Sequence, residues 1–191
     1  MIFIGNWLGM IKMIILIGAS ASGKTEIAKI LTKKGYKKCI TTTTRIKREN
    51  EIDGVDYHFI TKEKFNNLLL QNSFVEVTHY QGNFYGTNKL DLKLDGLIIV
   101  DPNGANAIIS LLGNQAFVVL IKSDKKIREE RMRQRKDKEL EIKIRLLSDD
   151  KIFKKKNLTK TDLVLKNDEE TLEELAVIID QKYKNYKKKV A

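Results

Sequence analysis

Short aliphatic runs alternate with longer amphipathic stretches along this 191-residue chain. Short apolar runs without polar alternation are typical of strands that are buried on both faces of a parallel sheet. Four such runs predict strands, over residues 13–17, 97–100, 116–121 and 163–165.

The stretches between these runs have the periodicity of helices. They predict helices over residues 24–33, 105–112, 125–135, 140–155 and 171–186. The last is the clearest, because Leu172, Leu175, Ala176 and Ile179 recur at helical spacing and lysines follow at its end. Strands that are separated by helices predict an α/β fold with a parallel sheet as its core.

The pattern changes between residues 41 and 92. Alternating or aromatic segments at residues 55–60, 74–80 and 83–85 surround one helical stretch, residues 62–71. These features predict a small mixed α/β lobe inserted into the core.

Residues 131–145 are mostly charged, and the first half of this region lacks an apolar stripe. Such a segment favours a mobile lid over a site. We therefore expect a single domain over residues 1–191, with a core of residues 10–40, 93–130 and 160–191, a lobe of residues 41–92 and a lid of residues 131–150.

Composition and charge narrow the class of protein. Hydrophobic residues make up 42% of the chain and charged residues 32%, as in an ordinary folded protein. Cys39 is the only cysteine, which excludes an intrachain disulfide. The net charge of +11 favours anionic partners, but the lysines are dispersed without interleaved aromatics. We therefore expect a solvated basic surface and no nucleic-acid partner.

The first twelve residues are apolar, yet no basic segment precedes them and Lys12 interrupts them. The stretch is too short to span a bilayer and does not resemble a targeting peptide. We expect a cytoplasmic protein without a membrane partner. A natural start at Met10 or Met13 would make the preceding residues a dispensable extension.

Residues 18–25 match the phosphate-binding pattern G-x-x-x-x-G-K-[ST] directly after the first predicted strand. Backbone N–H groups of such a loop, together with the helix N-terminus that follows, bind polyphosphate. We expect Lys24 to reach the β and γ phosphates and the Thr25 hydroxyl to ligate Mg²⁺. A glycine-rich structural turn is the alternative. The predicted triphosphate-binding residues are Gly18, Ala19, Ser20, Ala21, Ser22, Gly23, Lys24 and Thr25.

A second, longer pattern carries a family resemblance. Residues 41–48 read Thr-Thr-Thr-Thr-Arg-Ile-Lys-Arg, and Glu51, Gly54, Asp56, Tyr57 and Phe59 follow. They resemble the signature S-x-T-T-R-x-x-R-x-x-E-x-x-G-x-D-Y-x-F of guanylate kinases, with threonine in place of the first serine. Residues 74–76, Phe-Val-Glu, and 82–87, Gly-Asn-Phe-Tyr-Gly-Thr, are a second marker. Over residues 13–183 the sequence resembles the guanylate kinases of the nucleoside monophosphate kinase superfamily.

The resemblance implies that Arg45, Arg48, Tyr57 and Tyr85 hold the phosphate of GMP. The residue types agree with this role, because guanidinium forks and hydroxyls suit a phosphate monoester. For the two arginines taken alone, ordinary surface ion pairs are the alternative.

The resemblance also implies that Glu76 and Asp101 accept hydrogen bonds from the guanine base, while Thr41 and Thr87 offer hydroxyls. Guanine presents donors at N1 and N2, so a selective pocket needs carboxylates beside a donor. For Glu76 alone, the alternative is an exposed strand position.

For the transfer step, the resemblance implies that a set of cationic side chains surrounds the γ-phosphate. They are Lys24, Arg45, Arg131, Arg135 and Arg145. Protein cations and Mg²⁺ neutralise charge on the phosphoryl group, and no nucleophile–base pair is required. Asn167 would belong to the adenine side of the ATP site, with a helix N-terminus as the alternative. Arg128 and Arg133 are expected on a solvated helix surface.

Three departures from the family pattern stand out. Ile99 occupies a strand position where the family usually carries an acid, residues 136–141 lack the usual glycine and threonine, and the acid expected near Ile152 is missing. We expect slower turnover but no lost base or phosphate contact.

The resemblance implies an enzyme that phosphorylates GMP to GDP with ATP, by in-line transfer, in purine nucleotide metabolism. We expect a monomer or a homodimer. Two alternatives stay open. The first is a kinase of another phosphomonoester such as ribose bisphosphate, against which Glu76 and Asp101 argue. The second is a non-catalytic guanylate kinase-like binding module, against which the intact phosphate loop argues.

Overall fold

A computed structural model describes residues 10–190 of the chain. The prediction of a dispensable N-terminal extension falls mainly on residues 1–9, which lie outside the described residues.

The described residues form nine strands and six α-helices. The strands are β1 (Met13–Ile17), β2 (Lys37–Lys38), β3 (Thr42–Thr43), β4 (His58–Phe59), β5 (Phe74–Tyr80), β6 (Asn83–Asn88), β7 (Gly96–Ile99), β8 (Ala116–Lys122) and β9 (Leu163–Lys166). The helices are α1 (Lys24–Lys33), α2 (Lys62–Leu70), α3 (Pro102–Leu112), α4 (Lys125–Gln134), α5 (Glu139–Ile152) and α6 (Leu172–Lys189). Short 3₁₀ turns lie at Lys89–Asp91, Gly113–Gln115 and Lys155–Asn157.

The central sheet has the strand order β2-β7-β1-β8-β9, and every pairing in it is parallel. Successive residues of β1 point to opposite faces. Met13 and Ile15 pack on the α3 side, and Ile14 and Leu16 pack on the side of α1 and α6; all four are fully buried. Each such side chain contributes about 1.5–3 kcal/mol by leaving water. The prediction of an α/β chain with a parallel sheet is confirmed.

Asp101 sets the start of α3. Its Oδ1 accepts a hydrogen bond from the Gly104 N–H at 2.9 Å, and Pro102 occupies the first turn. Both are strong helix-start features, and the helix therefore begins at Pro102 rather than at the predicted residue 105. This N-cap also fixes the carboxylate of Asp101 beside the carboxyl end of β7.

The second sheet has the order β4-β3-β6-β5 and carries helix α2 on one face. The ring of Phe65 stacks on Phe74 at 4.6 Å and lies 5.5 Å from Phe84. The strand predicted over residues 55–60 shortens to His58–Phe59, and the short strands β2 and β3 were not predicted. A strand of two residues is too short to show the alternating pattern of a strand. Such strands are recognised only from their hydrogen-bonded neighbours in the sheet.

Helices α4 and α5 cover the carboxyl end of the central sheet. They meet through a small apolar cluster of Met132, Ile142 and Leu146, against which Ala21 packs. Helix α5 ends at Ile152, three residues before the predicted end. The mobility of this region stays a prediction. None of the helices between residues 10 and 190 has both the length and the apolar character needed to cross a bilayer.

Tyr183 offers a test of this packing. Its ring is fully buried, and its hydroxyl has no hydrogen-bond partner among the described residues. An unpaired buried hydroxyl destabilises the folded state. We expect Tyr183→Phe to raise the free energy of unfolding by about 1 kcal/mol, as measured by urea denaturation.

Tyr36→Phe is the matched comparison, because the Tyr36 hydroxyl donates to Asp180 Oδ1 at 2.6 Å. Removal of this bond should lower the free energy of unfolding by about 1 kcal/mol. Equal losses of stability in both variants would contradict the assignment of an unpaired hydroxyl to Tyr183.

Candidate active site

One cleft opens where the carboxyl ends of β1 and β7 meet the second sheet and helices α4 and α5. Fourteen of the residues predicted from the sequence line it, and they come from distant parts of the chain. They are Gly18, Ser20, Ala21, Lys24, Thr25, Thr41, Arg45, Arg48, Tyr57, Glu76, Tyr85, Asp101, Arg135 and Arg145.

The loop between β1 and α1 lies at the floor of the cleft. Gly23 has a φ of 95°, and a Cβ at this position would lie 2.1 Å from Asn167 Nδ2. Only glycine fits this conformation and this spacing. Asn167 Nδ2 donates to the carbonyl of the buried Ser22 at 2.9 Å. Asn167 thus supports the loop from behind, and its role toward adenine stays a prediction.

Lys24 is held over this loop by its own backbone. Its Nζ donates to the carbonyls of Gly18 at 2.6 Å and Ala19 at 2.8 Å. Burial lowers the pKa of Lys24 to about 8, a shift that the Asp149 carboxylate opposes and Arg135 reinforces. The ammonium therefore stays mostly charged at neutral pH. Thr25 follows it at the start of α1 and lines the cleft.

Glu51 aligns the two arginines of the second sheet. Arg45 Nη2 donates to Glu51 Oε1 at 2.6 Å, and Arg48 Nη1 donates to the same oxygen at 3.4 Å. The backbone N–H of Arg48 donates to Glu51 Oε2 at 2.8 Å. Burial alone would raise the pKa of Glu51, but these bonds lower it below its ordinary value. The carboxylate therefore stays ionised and holds both guanidinium groups at the same wall of the cleft.

Two tyrosines complete this wall. The Arg45 guanidinium lies 5.4 Å from the ring centre of Tyr57, and the rings of Tyr57 and Tyr85 meet at 6.1 Å. Burial raises the pKa of Tyr57 to about 12, and the neighbouring Tyr85 adds to the shift. The Tyr57 hydroxyl therefore stays protonated and can donate to an anion beside the arginines.

A buried carboxylate lines the same cleft. Glu76 is 7% exposed, and its Oε1 accepts from Thr87 Oγ1 at 2.6 Å. Its Oε2 has no hydrogen-bond partner among the described residues. Burial raises the pKa of Glu76 to about 7, and the nearby Asp101 adds to the shift. Thr87 does not line the cleft; it holds Glu76 from behind.

Helix α3 approaches this carboxylate closely. A Cβ on Gly104 would lie 3.0 Å from Glu76 Oε2, which is tighter than ordinary contacts allow. The glycine therefore leaves space for the unpaired oxygen of Glu76.

Arg135 and Arg145 face the cleft from the α4–α5 side. Arg145 donates from Nη1 to Asp137 Oδ2 at 3.0 Å, and Arg135 pairs with the same carboxylate. Burial lowers the pKa of Arg48, and Arg45, Arg145 and Arg135 lower it further. The two groups of cations thus act on each other across the opening.

Arg131 points elsewhere. Its Nη1 donates to the carbonyl of Ala21 at 3.3 Å and its Nη2 to the carbonyl of Asn167 at 3.1 Å. It braces the backbone of the phosphate loop and is not among the cleft-lining residues, so its catalytic role stays a prediction.

The expectation of a solvated Arg128 is wrong. Its side chain is 5% exposed, donates to Asp150 Oδ1 at 2.8 Å and lies 3.8 Å from Asp149 Oδ2. The acidic pair on α5 draws the guanidinium inward, and the sequence pattern of α4 alone contains no sign of that partner.

Sequence reasoning also missed Asp149 and Tyr80. Asp149 is 1% exposed, accepts from the Ser20 N–H at 2.6 Å and accepts from the Tyr80 hydroxyl at 2.5 Å. The one sign of it in the sequence was the pair Asp149 and Asp150, four and five residues after Arg145 in a basic stretch.

Ile99 lines the cleft where an acid was expected. Within residues 10–190, no three side chains of His, Cys, Asp or Glu are grouped closely enough to hold a metal ion. The cleft is lined by the cations Lys24, Arg45, Arg48, Arg135 and Arg145 together with the carboxylates of Glu76 and Asp101.

Comparison with known proteins identifies the family of this chain. The family model described as guanylate kinase matches residues 10–182. A guanylate kinase of Rickettsia bellii is 33% identical over 183 residues, which cover 90% of this chain and 95% of that protein. A guanylate kinase of Prochlorococcus marinus is 37% identical over 145 residues, 71% of this chain and 79% of that protein.

A crystal structure of guanylate kinase from Anaplasma phagocytophilum shares the fold, with a TM-score of 0.68 at 22% identity. The match covers 91% of this chain and 84% of that one. With the phosphate loop, the arginine pair and the buried glutamate gathered in one cleft, and with the family match spanning nearly the whole chain, this protein belongs to the guanylate kinase family.

Proposed function

We propose that this protein transfers the γ-phosphoryl group of ATP to the phosphate of GMP, with GDP and ADP as products. The observation that carries the proposal is that one cleft is lined by the phosphate-loop lysine, by the arginines of the second sheet and of the α4–α5 region, and by the carboxylates of Glu76 and Asp101.

The triphosphate belongs on the loop of residues 18–25. Consecutive N–H groups at the start of α1 and the positive end of the helix favour phosphate oxygens. Lys24 already lies over the loop and exchanges its carbonyl partners for phosphate oxygens when the nucleotide binds. Asn167 and Arg131 keep the loop in shape through the carbonyls of Ser22 and Ala21.

Magnesium fits this cleft as a companion of ATP. Mg²⁺ is usually held by phosphate oxygens, waters and one or two protein groups rather than by a protein cage. The Thr25 hydroxyl is the candidate protein ligand, and Ile99 supplies none. When bound, Mg²⁺ neutralises charge on the transferring phosphoryl group.

The phosphate of GMP belongs between Arg45, Arg48, Tyr57 and Tyr85. Guanidinium groups bind phosphate with two parallel hydrogen bonds. Glu51 pre-aligns the guanidinium groups of Arg45 and Arg48, because each donates to its Oε1. Because the aligned arginines lose little further freedom, more of the interaction energy appears as affinity.

The guanine base belongs beside Glu76, with Asp101 and Thr41 close to it. Glu76 Oε2 is a buried acceptor without a partner among the described residues, and the N1–H and N2–H groups of guanine are donors of matching chemistry. A base that presents an acceptor there would leave buried groups unpaired, which costs far more than a lost contact. Thr87 orients the carboxylate rather than touching the base.

The transfer step needs positioning and charge neutralisation. A phosphate monoester is already an anionic nucleophile at neutral pH, so no protein base is required. Arg135 and Arg145, with Lys24, face the oxygens on which charge develops. Closure of the second sheet and the α4–α5 region excludes water and prevents loss of the phosphoryl group by hydrolysis.

A cytoplasmic location, a monomeric or homodimeric state, a place in purine nucleotide metabolism and the lack of nucleic-acid and membrane partners stay predictions from the sequence.

A coupled ADP-release assay across GMP, dGMP, AMP, UMP and ribose bisphosphate tests the proposal. We expect kcat/KM for GMP to exceed that for AMP and UMP by at least about 10², because the mismatched bases leave Glu76 unpaired. Faster turnover of ribose bisphosphate would instead show that the protein is a kinase of that phosphomonoester. No turnover of any substrate, together with no affinity for ATP, would show that it is a non-catalytic binding module.

Lys24→Met should abolish most of the transfer. The substitution removes the charge that neutralises the β and γ phosphates but keeps the length of the side chain. We expect kcat to fall by about 10²–10³ while the melting temperature stays within a few degrees. Lys33→Met, on the exposed end of α1, is the control; an equal loss there would point to a general effect of charge.

Use of GMP should weaken at acidic pH. The pKa of Glu76 is raised to about 7 in the folded protein, so the carboxylate is ionised at pH 8 and largely protonated at pH 6. The protonated acid no longer accepts two donors from guanine. We expect KM for GMP to rise by about tenfold from pH 8 to pH 6, measured by initial rates at saturating ATP.

Glu76→Gln is the control for this pH profile. The second ionisation of a phosphate monoester also lies near pH 6, and the variant retains that contribution while it lacks the titrating side chain. We expect a higher KM for GMP at pH 8 and a flatter profile in the variant. Parallel profiles in both proteins would show that Glu76 does not recognise the base.

A further inference from the structure

Asp149 joins three parts of the molecule that are far apart in sequence. It lies on α5, accepts from the Ser20 N–H of the phosphate loop at 2.6 Å, and accepts from the Tyr80 hydroxyl at the end of β5 at 2.5 Å. Asp149 itself is only 1% exposed. Hydrogen bonds to a group that is withdrawn from water are electrostatically stronger than the same bonds in water.

Tyr80 in turn connects to the arginine wall. Its ring lies 6.4 Å from that of Tyr85, Tyr85 lies 6.1 Å from Tyr57, and Tyr57 lies 5.4 Å from the Arg45 guanidinium. Aromatic edges in such contact transmit displacement, because close-packed rings have few alternative positions. A continuous series of contacts thus runs from the phosphate loop to the proposed GMP phosphate site.

The turn after Tyr80 makes a second connection. Gln81 has a φ of 50°, a conformation that residues other than glycine, asparagine and aspartate seldom adopt. In this turn its Oε1 accepts from Arg145 Nε at 3.1 Å, and its Nε2 donates to the Tyr80 hydroxyl at 3.2 Å. The strained turn therefore presents two side chains of the hairpin to α5.

Neighbouring cations compensate the negative charge of Asp149. Arg128 Nη1 is 3.8 Å away, and Asp149 is the main charge that raises the pKa of Lys24 against burial. A buried carboxylate is stable only when it is paired and hydrogen-bonded. Loss of the Tyr80 bond would leave Oδ1 of the buried Asp149 carboxylate without a donor. This bond therefore holds the β5–β6 hairpin to α5 at a specific position.

We propose that the hydrogen bond between Tyr80 and Asp149 couples the two substrate sites, so that occupation of the phosphate loop by ATP increases affinity for GMP. Asp149 and Tyr80 are positioning residues in this scheme. A triphosphate that orders the loop at Ser20 also orders Asp149, and Asp149 holds Tyr80, Tyr85 and Tyr57 around the GMP phosphate. Because the coupling free energy is shared, GMP increases affinity for ATP by the same factor.

The inference rests on the proposed function and is tested by binding rather than turnover. The dissociation constant of GMP is measured by calorimetry, alone and with a saturating ATP analogue whose β–γ bridge is an imido group, in the presence of Mg²⁺. The ratio of the two constants is the coupling factor. We expect about 5-fold or more for the unaltered protein.

Tyr80→Phe removes one hydroxyl oxygen and keeps the ring contacts. We expect it to lower the coupling factor at least about threefold, with a smaller change in the GMP affinity measured alone. Asp149→Asn should act in the same direction. Asparagine keeps one acceptor oxygen and loses the other, so Asp149→Asn breaks either the Tyr80 bond or the Ser20 bond. Because either loss interrupts the connection that Tyr80→Phe also interrupts, the double variant should resemble the single variants rather than combine their effects.

Tyr36→Phe is the matched control. It removes a tyrosine–aspartate hydrogen bond of the same kind, to Asp180 at 2.6 Å, outside the cleft. We expect its coupling factor to equal that of the unaltered protein even where its melting temperature falls. This separates coupling from general stability.

Three outcomes would overturn the inference. The first is a coupling factor in Tyr80→Phe that equals that of the unaltered protein, and the second is an equal loss in Tyr36→Phe. The third is an unaltered protein that binds GMP without any response to the ATP analogue. An unaltered protein that binds no GMP at all would instead overturn the proposed function, and the inference with it. If Asp149→Asn does not fold, Tyr80→Phe decides the question.

Discussion

Repulsion between cations gathered in one cleft is the constraint on which the rest of the site depends. Lysine and arginine side chains from the phosphate loop, the second sheet and the α4–α5 region converge there. Burial lowers the pKa of Arg48 most, and the neighbouring arginines lower it further. Cations gathered in this way disperse unless carboxylates lie between them. Glu51, Asp137 and Asp149 are the carboxylates that hold them together, since each pairs with cations around the cleft and none of them is assigned to substrate.

The fold makes this arrangement possible by bringing strand ends to one place. In a parallel sheet the carboxyl ends of neighbouring strands lie along the same edge, so β1 delivers the phosphate loop next to Asp101 at the end of β7. The second sheet then closes over this edge through the β5–β6 hairpin. The helices on the two faces contribute burial and keep the strands in register.

Much of this was predictable because it is local. Four of the five strands of the central sheet and the helix after the phosphate loop follow from apolar runs and periodicity. Most of the cleft-lining residues follow from spaced motifs that the family resemblance interprets. The start of α3 shows how a local cap refines such a prediction, since Asp101 and Pro102 begin the helix earlier than its apolar residues indicate. The inward position of Arg128 and the contacts of Asp149 depend instead on partners 22 and 129 residues away. No pattern within one helix contains that information, and strands of two residues contain too little pattern of any kind.

Gly104 shows how substrate choice can depend on a residue that touches no substrate. A glycine inside a helix is less favourable than alanine by about 1 kcal/mol, so helix propensity alone would favour alanine at this position. Any added side-chain atom would press on Glu76 Oε2 at 3.0 Å and displace the acceptor proposed for guanine. Stability and nucleobase discrimination thus pull in opposite directions at this position. Substitution of Gly104 alone would therefore be a short evolutionary route to a broader substrate range.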